Sequence, residues 1–211
     1  MKLRLFNLIF LIGWSLGLIS QEKPLVNKPN VVLNQEGDKL FVSQGKFSFP
    51  ENYQEAFKDY RNKWTRLTNY EFSGLHWKQF IVIYVNKEPL NYVKNYAEYS
   101  RVYLDEEEDE EAQSANFIKY PEGTIFLKEH YVAIEGKPAA PVSTVIMKKR
   151  EKGYDSKNGD WEYAQFAVDG SVIMKGDSKA PAVKQNCAAC HKGMAERDYI
   201  FASFSIFKLK K

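Results

Sequence analysis

Cysteine and histidine are scarce in this 211-residue chain, which holds two of the first and three of the second. An exported protein stapled by disulfides carries more cysteines at wider spacings, so a disulfide framework is not what holds this one together. Charge of one sign is lacking too. The net charge is +3, and no long basic stripe interleaved with aromatics is present, which argues against nucleic-acid binding. Beyond the first twenty residues no apolar run is long enough to read as a membrane span. No internal repeat is visible.

What is abundant is aromatic. Fourteen Phe, 13 Tyr and 4 Trp in a chain that is 44% hydrophobic supply one sizeable core and suit a flat ligand packed against it. The amino terminus sets the compartment. Lys2 and Arg4 precede an apolar run from Leu5 to Ile19, which Gln21, Glu22 and Lys23 end sharply. Residues 1–20 therefore read as a secretory signal cut near Ser20–Gln21, and the protein as exported to the periplasm. Leu18 is not the small residue preferred before such a cut, so an uncleaved anchor stays open. The run is short of the roughly 20 apolar residues that a spanning helix needs. No cysteine follows it, so a lipoprotein anchor is not indicated.

Residues 21–46 mix Pro, Asn, Gly and charge and read as a linker or N-terminal extension with a short hairpin around Val31 to Val42. A domain over 47–211 follows. Tyr53, Phe57, Tyr60, Trp64 and Leu67 recur at spacings of four and three, which predicts one helix after Pro50 with a single apolar face. Phe80 to Val85 is a continuous β-branched and aromatic run, predicted to be a strand buried on both faces. Pro89 opens a second helix that continues through Tyr92 to Tyr103. The seven acidic residues Asp105 to Glu111 repel one another and read as a solvated loop.

From Tyr120 onward the period is two. Strands are predicted over Thr124 to Ile134, Val142 to Lys148, Trp161 to Val168 and Ser171 to Lys175, the last two joined by an Asp169–Gly170 hairpin turn. The fold class is α+β: an antiparallel sheet with a few helices and a C-terminal Cys-x-x-Cys-His segment.

That segment, Cys187-Ala188-Ala189-Cys190-His191, is the attachment signature of covalent haem. Two thiols at this spacing can add to the two vinyl groups on one porphyrin edge. The adjacent His191 presents an imidazole to the iron as axial ligand. Three other readings fit less well. A thioredoxin-like redox pair wants an early position in a βαβ setting. A zinc site needs further ligands, and only His76 and His130 remain. A structural disulfide would not require His191. One covalent haem c per chain is the reading taken. The sixth iron position decides function, since Met or His there favours electron transfer and an open position favours ligand binding or catalysis. His76, His130, Met147 and Met174 are the soft candidates, while Met194 lies too close to His191 in sequence to reach the opposite face.

The ordered set of motifs resembles the cytochrome P-460 family, which includes the cytochromes c′-beta. The matching pieces are the Tyr60 to Trp64 helix, the strand ending Val85-Asn86, and Tyr120-Pro121-Glu122-Gly123-Thr124 with the strand running to Glu129. Met147-Lys148, Trp161 to Phe166, the haem motif and Asp198-Tyr199-Ile200-Phe201 complete it. The resemblance implies a β-rich, dimeric fold around a five-coordinate haem with His191 as proximal ligand. It also implies either oxidation of hydroxylamine, with a lysine cross-linked to the porphyrin and an electron-transfer partner, or binding of nitric oxide without that cross-link. Lys128 aligns best with the cross-linking lysine, and Lys119 is the other candidate. At period two, Lys128 shares a strand face with Phe126 and His130, and Glu129 faces the other way. The family's distal proton-accepting acid has no counterpart around Met147, where Thr144-Val145-Ile146 is largely apolar.

Overall fold

Strand period two, on a sheet covered from both sides, makes every other residue answer to a different core. The computed structural model describes residues 46–103 and 114–201. The signal, nearly all of the extension with its hairpin, and the acidic run lie outside the described residues.

The described chain opens with two short helices, α1 (Glu51–Phe57) and α2 (Tyr60–Lys63), and two short strands, β1 (Thr65–Arg66) and β2 (Glu71–Ser73). Strand β3 (Gln79–Val85) and helix α3 (Pro89–Tyr103) follow, then β4 (Ile125–Ile134), β5 (Lys137–Lys149), β6 (Trp161–Ala167) and β7 (Val172–Gly176). All seven strands form one antiparallel sheet in the order β1-β3-β4-β5-β6-β7, with β2 also pairing β3. The fold is α+β, as the sequence implies.

One face of the sheet carries Val82, Tyr84, Ile125, Leu127, Tyr131, Ile146, Ala164 and Phe166, packed against Tyr53, Phe57, Tyr60 and Trp64 of the helical segment. The aromatic period thus does its expected work, with one difference. The predicted single helix is broken at Asp59, which adopts a left-handed conformation (φ 57°), and Trp64 is already extended. Leu67 leaves the helical face and joins the opposite core.

The other face carries Ile81, Ile83, Val85, Phe126, Met147, Trp161, Tyr163 and Met174. Tyr92 of α3 and Val183, Cys187, Ala188 and Ile200 of the C-terminal segment cover it. The haem motif is thereby laid against the sheet and not left on a tail.

Strand β5 starts five residues before the predicted Val142. Pro138 and Pro141 hide its first half from a sequence reading, since a proline removes a ladder donor. They are tolerated because β6 pairs with β5 only from Ser143 onward, so the proline stretch has β4 as its partner on one edge alone.

Candidate functional site

Pro181 starts a helical segment that runs through a π turn over Lys184–Ala188, the short helix Ala189–His191 and a 3₁₀ turn over Lys192–Arg197. On a helical backbone, residues three and four apart are neighbours on one side. Cys187, Cys190 and His191 accordingly line the same cavity. Both cysteines are free thiols, Cys187 buried and Cys190 exposed. Burial pushes the Cys187 thiol up to about 11, although the Lys128 charge acts in the opposite direction.

His191 is oriented by its neighbours. Its Nδ1 lies 2.7 Å from the Tyr199 carbonyl oxygen. A carbonyl only accepts, so Nδ1 carries the proton and Nε2 is left with the lone pair a metal requires. The carbonyl is itself pinned. Asp198 and Tyr199 take consecutive left-handed conformations (φ 54° and 67°). The Asp198 carboxylate accepts from the Tyr120 backbone N–H (2.7 Å) and from Lys149 Nζ (2.6 and 2.8 Å), and Trp161 Nε1–H donates to the Asp198 carbonyl at 2.9 Å. The Tyr199 ring lies so close to Gly159 that a Cβ there would approach it to 2.6 Å. Phe201 and Tyr163 pack edge-on to the imidazole at 5.1 and 5.8 Å. Burial lowers the His191 imidazole to about 4, with the Lys128 charge acting in the same direction and the Tyr199 carbonyl against it. His191 is therefore neutral at pH 7.

The cavity measures about 290 Å³. Its sheet wall is Ile81, Ile83, Phe126, Val145 and Met147, and its rim is the β2–β3 loop with Leu75, His76 and Trp77. Lys128 stands in the wall, directly across the ladder from Val145. Its Nζ is 2.8 Å from His76 Nε2, and His76 Nδ1 is 2.7 Å from Ser73 Oγ. Burial brings Lys128 down to about 8. The same effect, with the Lys128 charge adding to it, brings His76 down to about 3.

His76 contributes to a pH dependence that His191 and His130, both also lowered by burial, share. In the unfolded chain His76 binds a proton near pH 6.5, and in the fold only near 3, so the unfolded state holds more protons between these values. Stability is therefore lost as pH falls from 6.5 toward 3. The urea midpoint should be lower at pH 5 than at pH 7, and His76→Gln should reduce that slope by its share, leaving the part that His130 and His191 contribute. A slope unchanged by the substitution would show that His76 does not contribute to it.

Of the other sequence candidates, Met147 lines the cavity, whereas His130, Met174, Met194 and Lys119 are not among its lining residues. His130 is buried behind the rim, its Nδ1 2.9 Å from Gln79 Oε1 and its ring against His76 and Trp77. Met194 turns to Arg197. Glu129 does face the other way. It is fully buried on the far side of the sheet, where Tyr60, Arg61 and Tyr131 all donate to it. The sequence reading missed Glu71, a carboxylate lining the cavity from β2. A three-residue strand leaves no usable period, so nothing in the sequence pointed to that wall.

A family model described as Cytochrome P460 matches residues 50–202. The chain belongs to this family. No curated protein matches it.

Membership in the cytochrome P460 family makes haem the cofactor, and the lining fits that group. The apolar wall suits the macrocycle, and His191 Nε2 is free for iron. The Tyr163 hydroxyl, buried with no partner among the described residues, lines the same space. An orphaned buried hydroxyl is costly, and a polar atom of a bound group would relieve it.

Proposed function

We propose that this is an exported haem protein in which Cys187 and Cys190 hold the porphyrin as thioethers and His191 Nε2 holds the iron. The opposite iron position is left open to small nitrogen compounds, hydroxylamine first. The observation that carries this reading is one cavity bringing together both thiols, a neutral oriented imidazole, an apolar wall and a polar corner.

When bound, the haem supplies the iron that takes up electrons from the substrate. The chain supplies the rest. Tyr199 holds the His191 ring in one tautomer. Ile81, Ile83, Phe126, Val145 and Met147 keep water from the reacting atoms. Lys128 Nζ–H donates to the substrate nitrogen or oxygen, and a Glu71 carboxylate oxygen takes the proton that substrate N–H or O–H gives up. Glu71 then stands in for the acid that Thr144-Val145-Ile146 does not supply. Kinship within the family supports a homodimer and electron hand-off to a redox partner.

A second reading, non-enzymatic nitric oxide binding, is favoured by the same five apolar side chains, which suit an uncharged diatomic. An ordinary electron carrier would need His76 or Met147 on the iron. The test uses protein matured by a periplasmic c-type system. Hydroxylamine added to the ferric protein with an electron-accepting dye should reduce the dye. A tight nitric oxide complex without turnover would favour the second reading, and sharp low-spin absorption bands in the resting protein would contradict the open position.

A further inference from the structure

Lys128 makes one hydrogen bond, to His76 Nε2, and no ion pair among the described residues. An ammonium group has three N–H donors and no acceptor. His76 Nε2 must therefore accept from it, and the His76 proton sits on Nδ1, where it donates to Ser73 Oγ. Two ammonium donors remain. The neighbouring sheet wall, Ile83, Phe126, Val145 and Met147, offers them no strong acceptor, and the cavity's carboxylate, Glu71, attracts the ammonium without forming an ion pair with it. A desolvated charge with open donors is stabilised most by an anion.

We propose that the open face of this haem pocket takes small anions, with the Lys128 ammonium as the selecting group and His76 as the residue that positions it. This inference rests on the haem reading of the cavity and not on hydroxylamine being the substrate. It departs from the family resemblance, because a lysine cross-linked to the porphyrin would no longer be an ammonium.

The loop that delivers His76 is built against local preference. Trp77 and Lys78, the two residues after it, both adopt left-handed conformations (φ 54° and 56°). Non-glycine residues rarely adopt this conformation, and surrounding structure must hold them. Here that structure includes Ser73 and Lys128 on either side of the imidazole. Glu71 on the same wall attracts the ammonium as well, and an entering anion competes with it.

The test compares ligands of different charge on the matured holoprotein. Azide and nitrite are titrated into the ferric form, and carbon monoxide, an uncharged control, into the ferrous form, each followed at the Soret band. Lys128→Met should weaken azide by about tenfold or more, the size of one charge-assisted hydrogen bond, and leave carbon monoxide affinity unchanged. His76→Ala should weaken azide by a smaller factor, and His76→Gln, which keeps an acceptor, should recover it. Equal azide affinity in Lys128→Met, a parallel loss of carbon monoxide affinity, or a Lys128–porphyrin bond in the haem peptide mass would each overturn the inference. A wild-type protein without covalent haem by the pyridine haemochrome assay would overturn the haem reading itself, a different failure from a haem-loaded protein indifferent to Lys128.

Discussion

Replacing both Cys187 and Cys190 with alanine yields a protein whose pigment is fully extracted by acid acetone. The reason is local. The helical backbone puts both side chains and His191 on one side of one cavity, where, in the proposed reading, the thiols would meet one porphyrin edge and the imidazole the iron. Neither alanine removes a hydrogen bond or a buried charge, since the cysteines are free and Cys190 is exposed. The chain should therefore still fold, with a modest cost at the buried Cys187. Retained pigment in the double variant would mean that the haem is not held by thioethers.

The second large effect lies on the far side of the sheet. Glu129 is fully buried with Arg61 Nε at 2.6 Å and the Tyr131 hydroxyl at 2.7 Å, and the Tyr60 hydroxyl also donates to it. Burial and the adjacent carboxylate push both tyrosine hydroxyls far up, so they remain donors at any accessible pH. Removing the acceptor strands three donors, one of them a cation. Glu129→Ala should cost roughly 3–5 kcal/mol, which lowers the melting temperature by on the order of 10 °C for a domain of this size. Thermal unfolding followed by circular dichroism measures it. A loss below about 1 kcal/mol would place the pair in the class of surface bridges. The haem spectrum at low temperature should barely change, because the network and the cavity occupy opposite faces of the sheet.

These two experiments probe what the sequence made legible to different degrees. The alternation along 124–134 placed Lys128 and Phe126 on one face and Glu129 on the other, and the structure has them so. Period two is a hard constraint once both faces are covered. The Glu129 partners were out of reach, because Tyr60 and Arg61 lie some seventy positions away and nothing local pairs them. The break at Asp59 was hidden because the aromatic spacing runs across it without a change. Prolines 138 and 141 concealed half of β5. The rim of the cavity was the least legible part. Its residues come from β2, three residues long, and a loop with two left-handed non-glycine positions, features that leave no periodic trace.

The Cys-x-x-Cys-His spacing is plain in the sequence, yet its setting was not legible there. Asp198 and Tyr199 matched the family as a string of letters. Only the fold shows that Tyr120, Lys149 and Trp161 converge on them to hold the carbonyl that orients His191.

The most direct test is the intact mass of the chain after maturation in a competent periplasm, followed by the mass of the peptide spanning Cys187 to His191. The account predicts a chain heavier by one haem, with the added mass confined to that peptide. A chain at its bare sequence mass, or a haem bound to some other peptide, would contradict it.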